Sequence, residues 1–167
     1  GELMFDVEFF FKTFWLSFKA LPVTLKITAV AFAVGTALGF LIALCRIHKI
    51  KVLSQVCAFL VSFIRGTPVV LQILVVYSII PSLLNSILKN AGSSIDVFKI
   101  NPIVYAYIVF SLNNTAILSE VFRSALLTVS KGQFEAGITC GLTSCQTYRR
   151  IIIPQALESA LPNICNA

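Results

Sequence analysis

The stretch ITAVAFAVGTALGFLIALC, from Ile27 to Cys45, carries no charged residue, and its length decides the class of fold. A helix needs about 20 apolar residues to cross a hydrocarbon layer of about 30 Å. In lipid, every backbone amide must also be satisfied within its own segment. Thr28, Gly35, Thr36 and Gly39 punctuate the run without adding charge. Working outward, a second apolar region begins near Val52, is interrupted by the single charge of Arg65, and continues uncharged from Gly66 to Leu88. That exceeds one straight span, and the region is expected to bend or break. A third run, Ile100 to Ser119, carries Asn113 and Asn114 shortly before Glu120. The composition agrees: 57% hydrophobic and 12% charged residues, against roughly 25% charged in soluble domains. The reading is an all-α membrane protein with spans over about 22–45, 52–84 and 100–122.

Before the first span, Phe5, Phe9, Phe10, Phe11, Phe14, Trp15 and Phe18 alternate with Asp6, Glu8, Lys12 and Lys19. Residues 1–20 therefore read as an interfacial segment lying against membrane lipid. A signal peptide has its basic residues before its apolar run, the reverse of this order. The five cysteines, Cys45, Cys57, Cys140, Cys145 and Cys165, have no C-x-x-C spacing and read as small apolar residues. A net charge of +6 is spread over span ends, where anionic head groups are the natural counterpart, and no nucleic acid is expected.

Arginine and lysine in short loops are retained on the cytoplasmic side. Lys89 and Lys99 flank Asp96 after the second region, whereas Arg123, Lys131, Arg149 and Arg150 all follow the third. This favours an external N-terminus, with the loops at Arg46 and Arg123 inside. From Val121 to Arg150 no charge-free run is long enough to span. There, Gln133 to Cys140 reads as a short helix, Gly141 as its terminating glycine, and Thr143 with Gln146 as a capping box opening the next helix. Pro154 limits how far that helix continues undistorted. The apolar segment Ile151 to Ile164, interrupted by Pro154, Glu158 and Pro162, reads as a span being set up where the sequence stops, as in a C-terminally truncated domain.

Glu135-Ala136-Gly137, three residues, Gly141, nine residues, and Ile151-Ile152-Ile153-Pro154 together resemble the EAA loop of ABC importer permeases. The family's pattern is Glu-Ala-Ala, three residues, Gly, nine residues, Ile, any residue, Leu-Pro. Gly137 and Ile153 depart from it without disturbing the register. Leu21-Pro22-Val23-Thr24-Leu25, Arg65-Gly66-Thr67-Pro68, Glu120-Val121-Phe122-Arg123, Lys131-Gly132-Gln133 and Pro154-Gln155-Ala156 resemble the polar amino-acid, HisMQ-like branch. Ile64 stands where that branch has an aromatic residue, and the later spans are absent.

The resemblance implies a type I importer transmembrane domain (MetI-like) over residues 21–167, incomplete, with a cytoplasmic coupling segment near 123–154. It also implies a bacterial plasma-membrane location, a second permease subunit (identical or diverged), a dimer of cytoplasmic ATP-binding subunits and an external substrate-binding protein. The coupling residues it implies are Glu135, Ala136, Gly137 and Gly141, with Glu135 orienting the short helix and Gly141 permitting its sharp exit. No cofactor belongs to this chain; ATP and Mg are expected in the partner ATPase.

Arg65 within a membrane is costly and should face a cavity or partner. One reading places it on a substrate path with Thr67, Gln72, Asn113, Asn114 and Glu120. The preferred one is structural: bonds to carbonyls at a break made by Gly66 and Pro68, or a pair with Glu120. Gly35 and Gly39 form a small-x-x-x-small pattern, open to close helix packing or to simple tolerance of small residues. No G-x-x-x-x-G-K-S/T loop, metal-ligand spacing around His48 or catalytic set is present, so the chain is not expected to be an enzyme. The alternatives to an importer permease are a gradient-driven amino-acid carrier or channel and a membrane anchor without transport.

Overall fold

The computed structural model describes residues 6–90 and 97–166, and these form helices joined by short turns. Phe5 and Asp96 lie outside the described residues. α1 runs from Val7 to Ile47, opened by Asp6, whose carboxylate accepts from the Phe9 amide at 3.0 Å. Its 41 residues rise about 60 Å, so the aromatic N-terminal segment and the first span are one helix rather than two elements. Pro22 sits inside it, where a missing amide costs one bond and the remaining turns carry on.

Along α1, Ala31, Gly35, Gly39 and Ala43 recur every four residues and are buried. They face α4, Pro102–Thr128, the central helix of the chain. A Cβ on Gly35 would lie 2.7 Å from Asn114 Cβ, and one on Gly39 would lie 3.0 Å from the Ser119 nitrogen. The small-residue spacing is therefore a close helix seam within the chain, where the absence of side chains lets two backbones approach.

The second apolar region does break. α2 spans Lys51–Gly66 and α3 spans Val69–Asn90, separated at Thr67 and Pro68. Among the described residues three helices are long and apolar enough to cross a membrane: α1, α3 and α4. α4 is anchored by Asn101, whose side chain accepts from the Ile103 amide at 3.0 Å. It continues to Thr128, beyond the expected end near 122, so Glu120 and Arg123 belong to the helix and not to a loop. The polar residues there are paired with one another and need no exit from the helix.

Beyond it come α5 (Lys131–Thr139), α6 (Ser144–Thr147), a five-residue π turn (Tyr148–Ile152) and α7 (Ile153–Cys165). Pro154 falls in the first turn of α7, where its lacking amide costs least, and the upstream distortion is taken up by the π turn. Pro162 and Glu158, which interrupt the apolar run, do not interrupt the helix α7. The apolar face formed by Ile152, Ala156 and Ala160 packs on Ala125 and Leu126 of α4, and burial of that stripe outweighs one lost backbone bond. Phe40 meets Phe122 edge to face at 5.7 Å beside this cluster. The core thus lies where the C-terminal halves of α1 and α4 meet α7.

Candidate functional site

The segment with the Glu135-Ala136-Gly137 pattern is the helix α5. Its end is built as a Schellman motif: the Gly141 amide donates to Ile138 O at 2.9 Å and the Leu142 amide to Gly137 O at 3.1 Å. Gly141 holds φ at +83°, a left-handed conformation that a Cβ would strain, so the glycine is required by the turn itself. Two residues later the chain restarts as α6. Thr143 accepts from the Gln146 amide at 3.3 Å, and the Gln146 side chain accepts from the Thr143 amide at 2.9 Å, completing the capping box.

One face of α5 is seated and the other is presented outward. Gly137 is buried against Thr147, whose side chain is fully buried; a Cβ at Gly137 would stand 2.8 Å from Thr147 Oγ1. The hydroxyl of Thr147 donates back to Thr143 O at 3.0 Å, which fixes its rotamer. Phe134 contacts the Tyr148 ring at 5.7 Å, and Tyr148 in turn contacts His48 at 5.8 Å, linking α5 to the end of α1. Glu135, Ala136, Ile138 and Thr139 are exposed. The Glu135 carboxylate has no hydrogen bond or ion pair among the described residues and is available to a partner. Beside α5 lies a cleft of about 290 Å³, bordered by Ile47, Leu126, Phe134, Glu135 and Tyr148.

The residues proposed for a substrate path are only partly brought together. Thr67, Gln72 and Asn113 converge at the α2–α3 break. Gln72 Nε2 donates to Ile64 O at 2.8 Å, Thr67 Oγ1 at 2.9 Å and Thr67 O at 3.1 Å, and Asn113 Nδ2 reaches Gln72 Oε1 at 3.4 Å. Asn114 points elsewhere, into a cleft of about 320 Å³ with Thr24, Thr28, Ala31 and Phe110. Arg65 is exposed and makes no hydrogen bond or ion pair among the described residues. Neither structural role expected of it holds. The carbonyl of the break is taken by Gln72 and Thr67, and Glu120 is held by Arg46 at 2.5 Å and by Arg123 at 2.8 Å. Glu120 is therefore part of an ion cluster joining α1 to α4.

Arg46, Thr147 and Tyr148 were not singled out as site residues from sequence. Arg46 carried a signal, being a cation directly after an apolar run, but its partner is 74 positions away in the chain. Thr147 and Tyr148 carried none beyond their place after the capping box.

Residues 35–167 match a protein family described as the binding-protein-dependent transport system inner membrane component. The chain is 39% identical over 146 residues to the L-cystine transport system permease protein TcyL of Bacillus subtilis, covering 87% of this chain and 59% of that protein. It is 32% identical over 164 residues to the putative glutamine transport system permease protein GlnP of Rickettsia prowazekii, covering 98% and 69%. Among solved structures, one described as an amino acid ABC transporter with histidines superposes with a TM-score of 0.74 at 29% identity, over 98% of this chain and 71% of that one. The chain thus spans about three-fifths of the cystine permease's length. With helices of spanning length, a short helix ended by a left-handed glycine and a match over most of its residues, this chain belongs to the family of binding-protein-dependent transport system inner membrane components.

Proposed function

We propose that the chain is the translocating part of a permease subunit in an ATP-driven importer for polar amino acids, which an external binding protein delivers. α5 is the element that engages a cytoplasmic ATPase subunit, and ATP and Mg are bound by that partner. The observation that carries this reading is the construction of α5: seated by Gly137 on Thr147, ended by Gly141, and presenting Glu135 and Ala136 outward. A short, rigid helix of this kind passes a partner's rigid-body motion to the helices packed behind it. Relatives named for cystine, glutamine and arginine transport support an amino-acid substrate. The positions of Arg46, Arg123, Arg149 and Arg150 support placing α5 on the cytoplasmic side and the N-terminus outside. A second permease subunit, identical or diverged, completes the pathway.

The test is uptake of radiolabelled cystine, glutamine and arginine into proteoliposomes holding the full-length permease and its ATPase, with and without internal ATP and the binding protein. Uptake requiring both, and lost in Glu135→Ala while the complex still assembles, is the expected result. Uptake driven by an ion gradient without the ATPase would establish a secondary carrier instead.

A further inference from the structure

The break between α2 and α3 is closed by two side chains, Gln72 and Thr67. Pro68 has no amide to donate to Ile64 O four residues earlier, the bond that would continue α2. An unpaired carbonyl in a lipid-facing chain is costly, because no water is there to take its place. Gln72 Nε2 occupies that vacancy at 2.8 Å and donates as well to Thr67 O and Thr67 Oγ1. Thr67 Oγ1 itself donates toward Phe63 O at 3.0 Å and Ile64 O at 3.2 Å. Both ends of the break are thus bridged by Gln72, which sits one turn into α3. Its remaining oxygen accepts from Asn113 on α4 at 3.4 Å, a long and weak bond.

We infer that Gln72 is the latch of a hinge: its amide replaces the missing proline amide and sets the angle between α2 and α3, while Asn113 ties that hinge to α4. α4 also carries Glu120 and the floor on which α7 packs. A change of hinge angle is therefore transmitted along the helix that leads to α5. Gln72 is a positioning residue for translocation; its amide donors are spent on the break, so substrate recognition is not its part. The role in translocation rests on the permease reading above, whereas the hinge itself does not.

The experiment uses the full-length permease in complex with its ATPase, with the native cysteines replaced and nitroxide labels attached through Phe59→Cys on α2 and Val75→Cys on α3, both exposed positions. The unmodified hinge is expected to give one narrow distance distribution. Gln72→Glu keeps the size and loses the donors; Gln72→Leu loses every polar contact. Each should broaden or shift the distribution, raising the population outside the unmodified distance range by about tenfold. Vmax of uptake should fall with KM little changed. Asn113→Leu should leave the Phe59–Val75 distribution narrow and broaden one measured between Val75→Cys and Val104→Cys on α4. Unchanged distributions in both Gln72 variants overturn the latch, and should Gln72→Leu fail to assemble, Gln72→Glu and Asn113→Leu decide the matter alone. A complex showing no ATP-dependent uptake before any substitution would overturn the permease reading, and the label distances would still judge the hinge.

Discussion

Arg46, at the C-terminal turn of α1, and Glu120, on α4, form an ion pair at 2.5 Å, with their side chains 15% and 19% exposed. Arg123, one turn further along α4, holds the other carboxylate oxygen at 2.8 Å. Two cations on one carboxylate leave the cluster with a net positive charge, so the carboxylate is the member whose loss is least tolerated. Removing one partner of a largely buried pair leaves the other charge uncompensated. Glu120→Gln is expected to destabilise the full-length protein by about 1–3 kcal/mol, below the range for fully buried pairs because the cluster keeps some solvent. Thermal unfolding in detergent checks this, and Arg123→Ala should cost less than Glu120→Gln.

At Gly39 the seam between α1 and α4 leaves no room, since a Cβ would meet the Ser119 nitrogen at 3.0 Å and Thr115 O at 3.2 Å. Both are backbone atoms of a packed helix and do not rotate away. Gly39→Val is expected to cost about 1–3 kcal/mol through overpacking, and Ala37→Val, on the exposed side of the same helix, close to nothing. Comparing melting temperatures of the two variants separates packing from helix propensity.

Gly141 has open space around it, with nothing within 4 Å of a built Cβ, yet its φ is +83°. Any effect of substitution is therefore conformational. Gly141→Ala is expected to cost about 1–2 kcal/mol, and Gly141→Asn less, because asparagine tolerates the left-handed region. In the importer the expected readout is reduced transport for each ATP hydrolysed, with alanine worse than asparagine; equal activity for all three would remove the turn from the coupling pathway.

The seat of α5 is tested at Gly137. Gly137→Leu forces a bulky side chain against the buried Thr147 and should lift α5, whereas Ile138→Ala, on the exposed face, leaves the seat intact. The expected outcome is loss of uptake in Gly137→Leu with the membrane-embedded helices still folded, measured by uptake together with helical circular dichroism. Preserved uptake would show that the position of α5 on Thr147 does not govern coupling.

Much of this molecule was legible in the chain. The charge-free run before Cys45 required a spanning helix, because hydrocarbon admits no unpaired backbone. The Thr143–Gln146 spacing required a cap, and the glycine at position 141 marked a left-handed turn, since these are local rules acting over a few residues. The break at Pro68 was legible for the same reason. The local pattern did not show that α4 runs on to Thr128 or that α7 continues through Pro162, because the packing of α7 on α4 acts beyond a few residues.

What the tertiary structure alone decided is which polar groups meet. One of two readings of the sequence put Arg65, Thr67, Gln72, Asn113, Asn114 and Glu120 on a candidate path, the other giving Arg65 a structural role. Folding gave Glu120 to Arg46 and Arg123, gave Gln72 to the hinge, turned Asn114 toward α1 and left Arg65 exposed. It likewise turned Gly35 and Gly39 from small residues in a span into the contact surface for α4. The physical reason is range: backbone hydrogen bonding and hydrophobic length act within a segment, whereas an ion pair or a close helix seam depends on the rotation and registry of two helices, which the chain settles only when they pack.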